Sequence, residues 1–140
     1  MKDYVNQEIF RLPKLKLGVI GHIEWVTFLK VDRFPLAGQI SHAKNYFEDA
    51  AGGAAVAAVQ MARLINEPVD LITSLGKDTY GEKCYERLTK LGLNLKVAWR
   101  ENPTRKGISL ISKEGERAIT VIGDRLQPVG SDDLSWSEMK

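Results

Sequence analysis

Residues 69–92 read "VDLITSLGKDTYGEKCYERLTKLG". The first eight, Val69 to Gly76, are apolar without a two-residue period, which predicts a strand buried on both faces and closed by a glycine. Asp78 is placed to accept from the first free amides of a helix. On that helix Cys84, Leu88 and Leu91 fall at i, i+4 and i+7, one apolar stripe, and Gly92 stands where a left-handed stop belongs. A further strand, "LNLKVAWR" (93–100), follows directly. Strand, helix and strand joined this tightly predict a parallel α/β arrangement.

Upstream, "AGGAAVAAVQMARL" (51–64) opens a second helix on two glycines. Its apolar residues cover most of the circumference, and Gln60, Arg63 and Glu67 mark one narrow polar stripe. This predicts packing on several sides. Gly52 and Gly53 admit two readings: a close backbone approach to a ligand at a helix N-terminus, or a turn that merely seats the helix. "LKLGVIG" (15–21) reads as a buried strand, and "HIEWVTFLKVDRF" (22–34) as its continuation, with Ile23 and Trp25 on one face and Glu24, Val26 and Phe28 on the other. Glu24 follows the glycine that ends an α/β strand, where ligand contacts gather. An ordinary exposed strand residue is the alternative. Pro35 and Gly38 mark a turn, and residues 39–49 another extended segment. Downstream, "GISLISKEGERAITVI" (107–122) predicts a hairpin with one apolar and one more polar face. Residues 1–14 read as a tail.

The composition excludes several classes. The 140 residues are 44% hydrophobic with a net charge of +2, and no basic block is present. That argues against nucleic acid as a partner. Cys84 is the single cysteine, so no intrachain disulfide can form and a reducing, cytoplasmic setting is expected. His22 and His42 lack cysteine partners at zinc-ligand spacing. The most apolar early stretch, 15–29, is interrupted by Lys16, His22 and Glu24, which speaks against a membrane span. No Gly-x-Gly-x-x-Gly follows the first strand, and no Gly-x-Ser-x-Gly occurs. The Gly76-Lys77 pair fails the P-loop pattern because Leu71 and Asp78 occupy the positions for glycine and Ser/Thr.

Taken in order, "GVIGHIEW", "VDRFPLAG", "AGGAAVAAVQMARL", "SLGKDTYGEKCYERLTKLGLN" and "PTRKGISLISKEGERAITVIG" resemble the N-terminal half of the PfkB, or ribokinase-like, family of carbohydrate and nucleoside kinases. The resemblance covers residues 16 to about 128. It implies a central, mostly parallel sheet flanked by helices and a small projecting β-sheet that serves as a lid, with strands near 23–30 and 107–122. In ribokinase-type members that lid also clasps a second copy, so a homodimer through the lid strands is implied. A small polyhydroxylated substrate, a sugar or nucleoside, is the implied ligand, with Glu24, Gly52 and Gly53 as its contacts. Val26 stands where many members carry an aspartate. The family's catalytic base belongs to a C-terminal Gly-Ala-Gly-Asp motif, and nothing after Gly81 resembles it. ATP and Mg²⁺ are thus implied for a full-length member, and neither is expected on this chain alone. The expectation is a substrate-and-lid half, the C-terminal half being absent, that does not transfer phosphate by itself. A non-enzymatic ligand-binding or dimerisation module is the rival reading.

Overall fold

The computed structural model describes residues 16–139; the predicted tail 1–14 lies outside them. The apolar run at 69–76 is the strand that organises everything else. Val69, Leu71, Ile72 and Leu75 are all fully buried, so both of its faces are covered. Burying each such side chain contributes roughly 1.5–3 kcal/mol. In chain order the elements are β1 (Gly18–Ile20), β2 (Glu24–Lys30), β3 (Asn45–Ala51), α1 (Gly53–Ile65), β4 (Val69–Gly76), α2 (Thr79–Lys90), β5 (Leu93–Arg100), β6 (Lys106–Ile111) and β7 (Arg117–Ile122). A 3₁₀ turn, Trp136–Met139, ends the described chain.

Two sheets form. The first has the order β1-β4-β5 and is wholly parallel. The second has the order β3-β2-β6-β7 and is mixed, with β2 and β6 parallel and both outer pairs antiparallel. The alternating side chains of β4 divide the packing. Val69, Leu71 and Leu75 face the alanines of α1 together with Cys84 and Leu88 of α2. Ile72 faces the other way, against Ala98, Leu134 and Trp136. Both helices therefore lie on one face, and the chain after β7 covers part of the other. Asp132 anchors that return: its two carboxylate oxygens accept from Arg100 at 2.7 and 2.6 Å, and Trp136 donates to its carbonyl at 2.8 Å.

The predicted caps of α2 are present. Asp78 Oδ1 accepts from the Gly81 amide at 2.8 Å. Gly92, at φ +87°, takes the left-handed conformation that ends the helix. Cys84 is fully buried on the inner face, and burial pushes its thiol up to about 12. It is a core residue without nucleophilic character at neutral pH.

Three expectations are corrected. Residues 22–34 do not continue the first strand: β1 and β2 belong to different sheets, and the chain turns between them at 21–23. At that turn α1 packs close, since a Cβ at Gly21 would lie 3.0 Å from that of Ala54. The hairpin faces are mixed. Ile108 pairs with Thr120 and Ser109 with Ile119, so the apolar residues of the two strands point to opposite faces. The five residues 112–116 between the strands set that parity. Finally, α1 presents more than a polar stripe to solvent. Val56, Met61 and Leu64 are exposed with Gln60 and Arg63, Leu64 at 84%.

Candidate functional site

The end of β1, the start of β2 and the entry to α1 converge because β2 and β3 pair down to their shared base. Glu24 is the register partner of Ala51, directly before the glycine pair. The two glycines then separate in role. Gly52 has φ +98°, and a Cβ there would lie 2.9 Å from the His22 carbonyl oxygen and 3.0 Å from Ile23 Cα. It is glycine because the chain itself passes at that distance. Gly53 is exposed, and a Cβ there would meet nothing within 4 Å. As the first residue of α1 it presents a free helix N-terminus, where unpaired amides and the helix dipole favour an electron-rich group. The structure thus brings Glu24, Gly52 and Gly53 together, with only Gly53 leaving space for a ligand.

Glu24 does not stand alone. Its Oε2 lies 3.1 Å from Arg105 Nε, and the two side chains are only 14% and 16% exposed. The pair is a cross-strand one: the Trp25 amide donates to the Arg105 carbonyl at 3.1 Å, and Trp25 is in register with Lys106. Neither Glu24 Oε2 nor Arg105 Nε completes an aligned hydrogen bond, so the contact is an ion pair with hydrogen-bonding capacity to spare. His22 shares this field. Burial lowers its imidazole from the ordinary 6.5, Arg125 pushes the same way, Glu24 opposes, and Arg105 lowers it further. The ring is therefore neutral at pH 7, with one nitrogen as donor and the other as acceptor. Sequence reasoning missed Arg105 and His22. Arg105 precedes β6 with no local motif to mark it, and its partner is set by the pairing of β2 with β6.

Chemically the cluster offers a carboxylate acceptor, a guanidinium donor, a neutral imidazole and the open amides of α1. That mixture suits a ligand rich in groups that both donate and accept, as hydroxyls do. Among the described residues no group of three or more His, Cys, Asp or Glu side chains is placed to hold a metal ion. None of their helices is long and apolar enough to cross a membrane.

Residues 14–134 match the model of the pfkB family carbohydrate kinases, and the chain belongs to that family. Ribokinase of Dictyostelium discoideum is 30% identical over 120 residues, which span 84% of this chain and 36% of that relative. Thermotoga maritima ribokinase superposes with a TM-score of 0.67 at 26% identity, covering 77% of this chain and 36% of its own. Ribokinase of Arabidopsis thaliana, solved with ribose and ATP, has the same fold with a TM-score of 0.61 at 24% identity over 76% of this chain and 35% of its own. The architecture is accordingly the ribokinase-like α/β fold, a parallel sheet with helices and a second small sheet. The chain spans about a third of the length of the relatives it matches.

Proposed function

We propose that this chain is the substrate-and-lid portion of an ATP-dependent kinase that phosphorylates a hydroxyl of a sugar or nucleoside. The open helix start at Gly53, beside the buried Glu24–Arg105 pair, carries this reading. Glu24 accepts from substrate hydroxyls, and the Gly53 end of α1 lets them approach the backbone. Arg105 and neutral His22 complete a rim of paired donors and acceptors. The second sheet is the lid. ATP and Mg²⁺ serve the whole kinase and bind outside residues 1–140, as does the catalytic base, so the chain alone transfers no phosphate. The exposed Ile20 of β1 and the Val56, Met61 and Leu64 face of α1 offer a surface for the remainder of such a kinase. A cytoplasmic location agrees with the lone, buried Cys84.

Ligand titration tests the reading. Ribose or a nucleoside added to the ¹⁵N-labelled chain should shift the Gly53 and Ala54 amides. Glu24→Gln should weaken that binding by about 1.5–3 kcal/mol, the scale of a hydrogen bond to a charged group. Absence of shifts at saturating sugar and nucleoside would overturn the site. Incubation with ATP, Mg²⁺ and the same ligands should yield no phosphorylated product above a blank, and product would overturn the placement of the base.

The lid also pairs with a second copy. One of its faces carries Phe28 stacked on Phe47 at 4.7 Å, with Ile119 in the same row beyond Ser109. Phe47 and Ile119 remain 57% and 55% exposed. Apolar residues grouped this way mark an association surface. Sedimentation should find a dimer that Ile119→Asp converts to monomer. A monomeric wild-type chain at high micromolar concentration would refute the clasp.

A further inference from the structure

The "GKDTYG" segment (76–81) caps α2, yet its aspartate does more than a cap requires. We propose that Asp78 is the positioning residue of the substrate cluster: it ties Thr104 to the start of α2 and so fixes Arg105, and through Arg105 the Glu24 carboxylate. This inference rests on the reading that Glu24 faces substrate.

The geometry runs through four bonds. Asp78 Oδ1 accepts from the Gly81 amide at 2.8 Å, the ordinary capping bond. Its other oxygen, Oδ2, accepts from the Thr104 amide at 2.7 Å, a bond no helix needs. Thr104 is buried, and its hydroxyl oxygen accepts from the Gly76 amide at 2.9 Å, lacing the turn from the opposite side. The Lys77 amide donates to the Arg100 carbonyl at 2.9 Å. The packing between these strands of chain is closed. A Cβ at Gly76 would lie 2.5 Å from both the Asn102 oxygen and the Thr104 nitrogen. Thr104 is thus held from two sides, and Arg105 follows it by a single peptide, about 3.8 Å. From there Arg105 reaches Glu24 at 3.1 Å while its carbonyl receives the Trp25 amide.

Of the other ties between the helices and the second sheet, one reaches the neighbouring residue, where Lys106 Nζ lies 4.8 Å from the centre of the Tyr80 ring. Arg87 holds Asp49 on β3 with two bonds of 2.7 and 2.8 Å, and Lys83 lies over the Trp25 ring at 5.4 Å. Neither touches 104 or 105. The choice of aspartate is also informative. Serine and asparagine cap helices as well as aspartate does, but each brings one acceptor oxygen. The carboxylate gives the Gly81 and Thr104 amides a separate oxygen each. Burial raises the Asp78 carboxyl, yet the Gly81 and Thr104 amides, with the Thr104 side chain and the Tyr80 amide, overcome it and hold the group below its ordinary 3.8, so both oxygens accept at neutral pH.

Asp78→Ser separates the two roles, because serine keeps the cap and loses the tie. The experiment uses the 140-residue chain with His42, an exposed residue, changed to Gln, so that His22 gives the single imidazole signal. If Asp78 positions Arg105, the serine variant lets the guanidinium withdraw. His22 then titrates at a higher pH, because one of the charges that lowers it has moved away. Exchange of the Thr104 amide should accelerate about tenfold or more, the scale of a lost hydrogen bond to a charged group. Arg105→Ala, made in parallel, should raise the His22 titration the same way. An unchanged His22 titration and Thr104 exchange in a folded Asp78→Ser chain would overturn the proposal and leave Asp78 a cap alone. Should the serine variant not fold, Asp78→Asn decides by the same two readouts, since it retains the side-chain volume and one acceptor. Neither readout uses a ligand, so failure to bind sugar overturns the functional reading without touching this one.

Discussion

Replacing Gly81 with alanine is expected to remove much of the chain's stability. Gly81 is the third residue of α2, where alanine would ordinarily be favoured over glycine by roughly 0.5–1 kcal/mol. Here the added methyl would lie 2.1 Å from the Gly76 carbonyl oxygen and 2.9 Å from Thr104 Oγ1. Neither neighbour is free to yield. Gly76 ends the buried strand β4, and Thr104 Oγ1 is already engaged by the Gly76 amide. The helix must lift or the turn must open, and either loosens Cys84 and Leu88 from the core. Overpacking against mobile side chains costs about 1–3 kcal/mol. Against backbone the cost should be about 3 kcal/mol or more, a large share of a typical 5–15 kcal/mol total. Gly53→Ala is the matched control: its Cβ meets open space, so it should gain about 0.5–1 kcal/mol. Urea midpoints measure both. A Gly81→Ala midpoint equal to wild type would mean that the β4–α2 turn is not the rigid knot its contacts describe.

What could be read in advance follows the range of the forces involved. The β4–α2–β5 unit was legible because each of its signals is local. The apolar run, the Asp78 cap, the stripe at Cys84, Leu88 and Leu91 and the stop at Gly92 act over a few residues. The break between β1 and β2 was hidden because β-forming residues run straight through it. The break is set by pairing between distant segments: β1 lies beside β4, whereas β2 lies between β3 and β6. In the hairpin both strands and the turn were legible, but their relative face depended on counting the loop, and one residue inverts it. The glycine pair could be located but not divided. Only the folded structure distinguishes Gly52, crowded by its own chain, from Gly53, which borders open space. Arg105 carried no signal, since its meaning comes wholly from the parallel pairing that sets it beside Glu24.

The Glu24–Arg105 pair carries the other large expected effect, and it separates stability from binding. Removing one partner of a buried ion pair leaves the other charge uncompensated, at about 3–5 kcal/mol where burial is complete. These side chains keep 14% and 16% exposure, so Arg105→Ala or Glu24→Gln alone should cost less, about 2–3 kcal/mol. The double variant Glu24→Gln/Arg105→Met leaves no orphaned charge and should be more stable than the sum of the singles predicts. A coupling of about 1–3 kcal/mol is expected from the thermodynamic cycle in urea. The same double variant should nevertheless lose the sugar-dependent shift at Gly53. Glu24 Oε2 and Arg105 Nε are themselves buried against each other, so a hydroxyl would meet the pair's remaining carboxylate oxygen and guanidinium amino groups. Gln and Met cannot restore that charged pair of contacts. A double variant that regains stability while losing the ligand would place the pair's value in recognition, since an apolar replacement serves folding nearly as well. Additive single effects below about 0.5 kcal/mol would instead mean that water reaches the pair freely, as at exposed surface bridges. Recognition would then have to rest on His22 and the amides of α1.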